Sequence, residues 1–204
     1  MKKYVSTICV IVIMTSMLIG CNSSKIINFK NNKYTSIENP SVEVGNIKKI
    51  GTKIGNYQGS DIYKLNGKLE KNWIYLDSQS MSDSPIGLYK SINLKMNSLT
   101  DFNSTELKIL KASSNKEEIV YFTKQFQIIK ELISSINNGK RVSENIIKID
   151  NINKELTIQF RSKKFPNLVY TYDYIETKNN KYFISCEKNT IQIDNIINKY
   201  INNY

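Results

Sequence analysis

Between Glu155 and Arg161 the side chains alternate without a break. Leu156, Ile158 and Phe160 take one side, and Glu155, Thr157, Gln159 and Arg161 take the other. A period of two belongs to a β-strand, and a strand patterned this way puts one face into a core and the other into water. Such a strand needs neighbours along its edges and a layer over its apolar face. The neighbours follow directly. Lys163-Lys164-Phe165-Pro166-Asn167 reads as a turn and Leu168–Glu176 as the next strand. Lys178-Asn179-Asn180 reads as a second turn and Tyr182–Cys186 as a third strand. Connections this short join antiparallel strands, because a parallel crossover needs a dozen residues or more.

The covering layer is predicted upstream. Thr105–Ala112 reads as another strand. After it, apolar residues recur at Ile119, Phe122, Phe126, Ile129, Ile133 and Ile136, with Tyr121, Ile128 and Leu132 broadening the stripe. Steps of three and four predict one long helix. Ser114 and Glu117 have the spacing of a capping box at its start. Asn138-Gly139 would stop it with a left-handed glycine. A last amphipathic helix is predicted from Ile193, Ile196, Ile197, Tyr200, Ile201 and Tyr204. The order strand, helix, three strands, helix over residues 101–204 predicts an α+β fold, with helices packed on an antiparallel sheet. Tyr170, Tyr172 and Tyr174 share one strand face with Leu168. Under the helix they are core, which is the preferred reading. Left bare, they form an aromatic binding face for sugar rings or a protein partner.

Residues 42–100 have different punctuation. Gly45, Gly51, Gly55, Gly59, Gly67 and Gly87 separate short strand-like runs at Ile47–Ile54, Asp61–Leu65, Trp73–Leu76 and Ile86–Ile92. This predicts an antiparallel β meander, with Trp73 in its core. Asp77–Ser84 is a polar loop with two carboxylates. It lacks the oxygen ligands and the turn glycine that a calcium loop requires, so no metal site is predicted. Residues 21–41 are polar and rich in Asn, Lys and Ser, and read as a flexible tether.

The N-terminus supplies the clearest chemical signal. Lys2 and Lys3 precede an apolar run from Val5 to Ile19, broken by Ser6, Thr7, Thr15 and Ser16. The run is shorter than the roughly 20 residues that a spanning helix needs, and suits a secretory signal. It ends Leu18-Ile19-Gly20-Cys21, which resembles the lipobox of bacterial lipoproteins. The resemblance implies that residues 1–20 are a signal peptide, that diacylglyceryl is transferred to the Cys21 sulfur, and that the chain is cut between Gly20 and Cys21. Palmitate-like acyl chains would then hold the protein on the outer face of the cell membrane. The segment Gly59–Gly67 followed by Asn72–Leu76 is similar to a hairpin of small surface lipoproteins from Gram-positive bacteria. That likeness carries no activity with it.

Composition narrows the chemistry. The chain has 29 Lys and Arg against 18 Asp and Glu, a formal charge of +11, and it stays strongly basic after Lys2 and Lys3 leave with the signal. A basic surface outside the cell favours lipid headgroups, anionic wall polymers or an envelope protein as partners, and not nucleic acid. Histidine is absent, which excludes His-based triads and His-ligated zinc. No phosphate-binding glycine loop is present, and no cofactor is implied. Cys9 leaves with the signal. If Cys21 is acylated, Cys186 has no disulfide partner, and it reads as an inert thiol in a strand. The expected function is a membrane-anchored, non-catalytic extracytoplasmic lipoprotein that binds an envelope component. The alternative is a histidine-independent carboxylate hydrolase acting on cell-wall material. A transporter-linked substrate-binding protein fits poorly, because such proteins need two sizeable α/β lobes.

Overall fold

A computed structural model describes residues 26–37, 42–45, 50–66, 72–77, 87–113, 116–143, 147, 151–179, 181–186 and 189–201. Cys21 and Gly20 lie outside the described residues, as do Gly67, Ser78–Ser84, Ser114 and Tyr204. In chain order the strands before the first helix are β1 (Ile26–Phe29), β2 (Asn32–Ser36), β3 (Val42–Val44), β4 (Ile50–Tyr57), β5 (Ser60–Leu65), β6 (Trp73–Asp77) and β7 (Gly87–Ser91). Then come α1 (Leu99–Phe102), β8 (Glu106–Ser113), β9 (Lys116–Thr123) and α2 (Phe126–Asn138). The remainder is β10 (Lys140–Val142), β11 (Ile152–Arg161), β12 (Leu168–Thr177), β13 (Tyr182–Cys186), β14 (Asn189–Ile193) and α3 (Asn198–Ile201). The described chain is therefore mainly antiparallel β-sheet with three helices, two of them only four residues long. It is richer in strand than the α+β layering expected from the sequence.

The first sheet has the order β1-β2-β7-β6-β5-β4. Its β4–β7 part is the predicted meander. Its β1–β2 hairpin comes from the stretch read as a tether, and that reading is corrected for residues 26–36. Phe29 pairs with Asn32, so Lys30 and Asn31 form a two-residue turn with φ of 45° and 63°. Positive φ at both positions matches the twist of the flanking strands. Gln58 and Gly59, with φ of 46° and 83°, do the same between β4 and β5. Ile27 and Tyr34 pair across the hairpin and are buried. The isoleucines and aromatics of this segment are thus strand residues amid polar neighbours.

This sheet has an apolar surface on each side. Ile27, Tyr34, Ile62, Ile74, Leu76 and Tyr89 form one small core. The sheet curls around it: Phe29 on edge strand β1 lies over Gly55 on the opposite edge strand β4, where a Cβ would come within 2.6 Å of the ring. From the other side Leu65 and Trp73 enter the larger core. Trp73 is fully buried and meets Phe165 edge-on at 6.1 Å, which places it in a core as predicted.

The second sheet runs β10-β14-β13-β12-β11-β8-β9. β3 also joins it, pairing with Leu168–Tyr170, while β13 pairs with Asp173–Glu176. Both use the edge of β12 that β11 leaves open. Residues 42–100 therefore do not form a separate meander: their first strand is built into the other sheet. The predicted three-stranded unit is present as β11, β12 and β13.

The long helix is corrected. Residues 116–123, predicted to be its first two turns, are strand β9, and Glu117 caps nothing. Ile119-Val120-Tyr121-Phe122-Thr123 is an unbroken run of β-branched and aromatic residues, which fit a pleated surface better than a helix. Only Phe126–Asn138 is helical, and it buries Ile129, Leu132 and Ile136. Ile119, Phe122 and Phe126 are exposed instead, Phe126 by 69%. Gly139 is extended at φ −65°, not left-handed. A Cβ there would run into Ile191 and come within 2.8 Å of the Gln192 carbonyl. Close approach to β14 requires the glycine, not backbone freedom. The terminal helix is also shorter than predicted, because Ile193 belongs to β14.

α2 links β9 at one edge to β10 at the other. Tyr200 of α3, which follows β14, packs on the edge where α2 begins: it stacks on Tyr121 of β9 at 5.3 Å, and its hydroxyl donates to Glu131 of α2 at 3.1 Å.

Candidate functional site: a lysine-lined cleft between the sheets

The tyrosine face is covered. Tyr170, Tyr172 and Tyr174 are 1%, 9% and 0% exposed. Tyr170 stacks on Tyr172 at 5.4 Å and meets Phe102 at 5.7 Å, while Tyr172 meets Phe160 edge-on at 6.4 Å. Tyr174 packs on Tyr182, and its hydroxyl donates to Asn198 at 3.4 Å. Burial, with lesser repulsion from Glu176 and Tyr182, pushes the Tyr174 phenol far above its ordinary range. The preferred core reading holds, and these rings do not form a bare aromatic platform. Burial by α1, α3 and neighbouring strands could not be read from the spacing of the tyrosines alone.

Of the three, only Tyr170 lines an open cavity. A cleft of about 610 Å³ opens where the two sheets meet, within the range of small-molecule sites. Ile26, Thr35, Ser36 and Ile37 form one wall; Val42 and Tyr170 form the wall on the second sheet. The segment after β7 closes it with Ile92, Leu94, Lys95, Met96, Asn97 and Ser98, and Lys90 reaches in from β7.

That closing segment is fixed by its own hydrogen bonds. The Ile92 N–H donates to the Lys33 carbonyl and the Leu94 N–H to the Ser91 carbonyl, each at 3.0 Å. The Lys90 ammonium donates to the Met96 carbonyl at 2.8 Å and to the Asn97 side-chain oxygen. Ser98 caps α1 by accepting from the Asp101 N–H at 3.2 Å. Asp101 in turn accepts from the Asn97 N–H at 2.9 Å and the Ser98 hydroxyl at 3.0 Å. The Asn97 bond does most to hold the Asp101 carboxyl below the usual carboxylate range. Met96, Leu99 and Phe102 root the segment in the core.

The described lining contains two lysines, four hydroxyls, one side-chain amide, an apolar floor, and no carboxylate. It can hold a negatively charged group and an adjoining apolar one. Carboxylates come together elsewhere. Asp173 is pushed above its ordinary pKa first by burial, then by repulsion from Glu155 and Glu43, and Thr171 donates to Glu43 at 2.6 Å. These residues lie on β3, β11 and β12, not in the cleft. Glu106 faces Lys108, Lys124 and Arg161 at 3.7–4.0 Å. Among the described residues no group of three or more acidic or cysteine side chains is placed to hold a metal. The Cys186 side chain lies outside the described set.

Sequence reasoning missed the cleft. Lys90 and Ile92 fall inside the predicted run Ile86–Ile92, whereas Leu94, Lys95 and Met96 follow it in a stretch to which the sequence pattern assigns no element. The only available signal was lysines interleaved with apolar residues. Among the described residues no helix is long and apolar enough to cross a membrane. No protein-family model matches the chain, and neither curated proteins nor solved structures yield a significant match.

Proposed function

We propose that this chain is a non-catalytic binding protein, carried on the outer face of the cell membrane by acyl chains on Cys21, and that its inter-sheet cleft takes an anionic envelope component. The observation that carries the proposal is the cleft's lining: Lys90 and Lys95 beside apolar side chains, with no acidic residue among those described. The formal charge of +11 would draw polyanions toward the protein at long range. The run from Lys2 to Cys21 motivates the anchor. The competing hydrolase reading needs two carboxylates facing each other across a binding cleft, and the described lining supplies none.

The test uses the full-length protein expressed with its native leader. Mass spectrometry of the mature N-terminal residue should find a diacylglyceryl thioether on Cys21. The detergent-solubilised protein should then retain a polyglycerol phosphate probe at low salt and release it as salt rises. Lys95→Glu should lose that retention. An unmodified Cys21 thiol overturns the anchor, and retention indifferent to both salt and Lys95 overturns the cleft assignment.

A further inference from the structure

We infer that the occupant of the cleft is an anionic lipid of the membrane that holds the protein, bound with its headgroup at exposed Lys95 and its acyl end against Ile26 and Ile92. The inference rests on the proposed anchoring at Cys21 and adds the class and source of the ligand.

The first reason is the mixed character of the cleft mouth. Ile26 and Ile92 are 52% and 48% exposed, two of the five large hydrophobic side chains that stand out in water among the described residues. Both line the same cleft as exposed Lys95. Deeper in, Ile37 and Leu94 are half-buried and Met96 is buried. A wholly polar polyanion would satisfy the lysines and leave the isoleucines wet. A lipid carries a negative group and methylenes within one molecule. Each methylene removed from water and each lysine close to an anionic leaflet adds to such binding.

The second reason is reach. Ile26 is already in strand β1, and five peptide links separate its Cα from that of Cys21. Fully extended, they span at most about 18 Å, whatever conformation they adopt. A polar segment running to residue 41 would have let the body drift away from the bilayer, but the β1–β2 hairpin takes up that slack. An acylated Cys21 therefore keeps the cleft wall carrying Ile26 within about 18 Å of the leaflet. Thr35, Ser36 and Ile37 lie on the paired strand β2 and just after it. The cleft thus lies beside the point where the chain leaves the membrane.

The experiment places the full-length acylated protein in nanodiscs with increasing phosphatidylglycerol in phosphatidylcholine, and follows amide hydrogen exchange. The mass of the N-terminal residue is recorded first. Phosphatidylglycerol should slow exchange across residues 35–37 and 92–98, and pure phosphatidylcholine should not. Lys95→Gln, at an exposed position, should need about fivefold more phosphatidylglycerol for equal protection. Ile92→Ser should weaken protection without changing the near-UV spectrum of the folded protein. Equal exchange in the two lipids, with Cys21 acylated, overturns the inference and leaves the anchor intact. Soluble polyglycerol phosphate over pure phosphatidylcholine, which reaches the lysines but not the isoleucines, should protect residues 35–37 and 92–98 only in part; protection equal to that from phosphatidylglycerol overturns the inference, because the ligand then comes from outside the leaflet. A chain lacking the acyl group overturns the reading beneath it and is recognised by mass before exchange is measured.

Discussion

The ring of Phe29 lies on the bare backbone of Gly55, although the two residues sit on opposite edge strands of one sheet. That contact marks where the six-stranded sheet curls over the core built from Ile27, Ile62, Ile74 and Leu76. A methyl group on residue 55 would meet the ring at 2.6 Å. Gly55→Ala should therefore cost about 1–3 kcal/mol, as overpacking does. In the double variant with Phe29→Ala the second change should recover part of the loss, since the clash disappears with the ring. Urea denaturation of the four proteins gives the coupling energy. Strict additivity would mean that the two edges do not meet.

The corrected helix makes a contrast that single substitutions can check. Phe126 opens α2 and is 69% exposed, whereas Leu132 is fully buried against the sheet. Phe126→Ser should shift stability by no more than about 0.5 kcal/mol, and Leu132→Ala should cost about 2–5 kcal/mol. A helix starting at Ser114 with Phe126 in its buried stripe would make both changes costly. Thermal melts of the two variants separate the cases.

Period-two patterns were legible wherever one face was buried and the other wet. β11 follows from that alternation, while β12, β13 and the β4–β7 meander follow from short apolar and aromatic runs set between turn residues. The helix boundary was not legible, because Ile119, Phe122 and Phe126 fall on helical spacing by coincidence with a bulged strand. Leu110 of β8 pairs with Ile119 of β9, while its neighbour Ile109 pairs with Tyr121, so one extra residue shifts the period at that point. β3 was illegible for another reason: its pairing with Leu168–Tyr170 is set by tertiary contact across more than a hundred residues. The cleft depends on the same long-range placement. Val42 reaches it beside Tyr170 only because β3 leaves its neighbours in sequence for the second sheet.

Asp101 should act as the latch of the cleft's closing segment. Its carboxylate accepts from the Asn97 N–H and the Ser98 hydroxyl, and its pKa is lowered, chiefly by the Asn97 bond. A depressed carboxyl contributes stability above its unfolded pKa, near the ordinary 3.8, and loses that contribution as pH falls through the lower folded value. Asp101→Ala should loosen residues 92–98 at pH 7, seen as faster amide exchange at Asn97. The difference between variant and parent should shrink as pH falls below the ordinary carboxylate range. Unchanged exchange at pH 7 would show that Ser98 and Lys90 hold the segment without it.

Asp173 should show the opposite pH dependence. Partial burial comes first among the causes, and repulsion from Glu155 and Glu43 adds to it, so its carboxyl keeps its proton to higher pH in the folded chain than in the unfolded one. The protonated form therefore favours folding below the ordinary carboxylate pKa. That contribution is lost as pH rises through the folded value, and at pH 7 the ionised group is a net cost. Asp173→Asn removes the charge and keeps the shape. Stability at pH 7 should rise, by no more than about 1 kcal/mol because the charges stand partly in water. Near pH 3, where the parent carboxyl is protonated, the gain should vanish. Paired urea titrations at the two pH values decide it. A gain of equal size at both would trace to the amide's own contacts and not to crowding among the three acids.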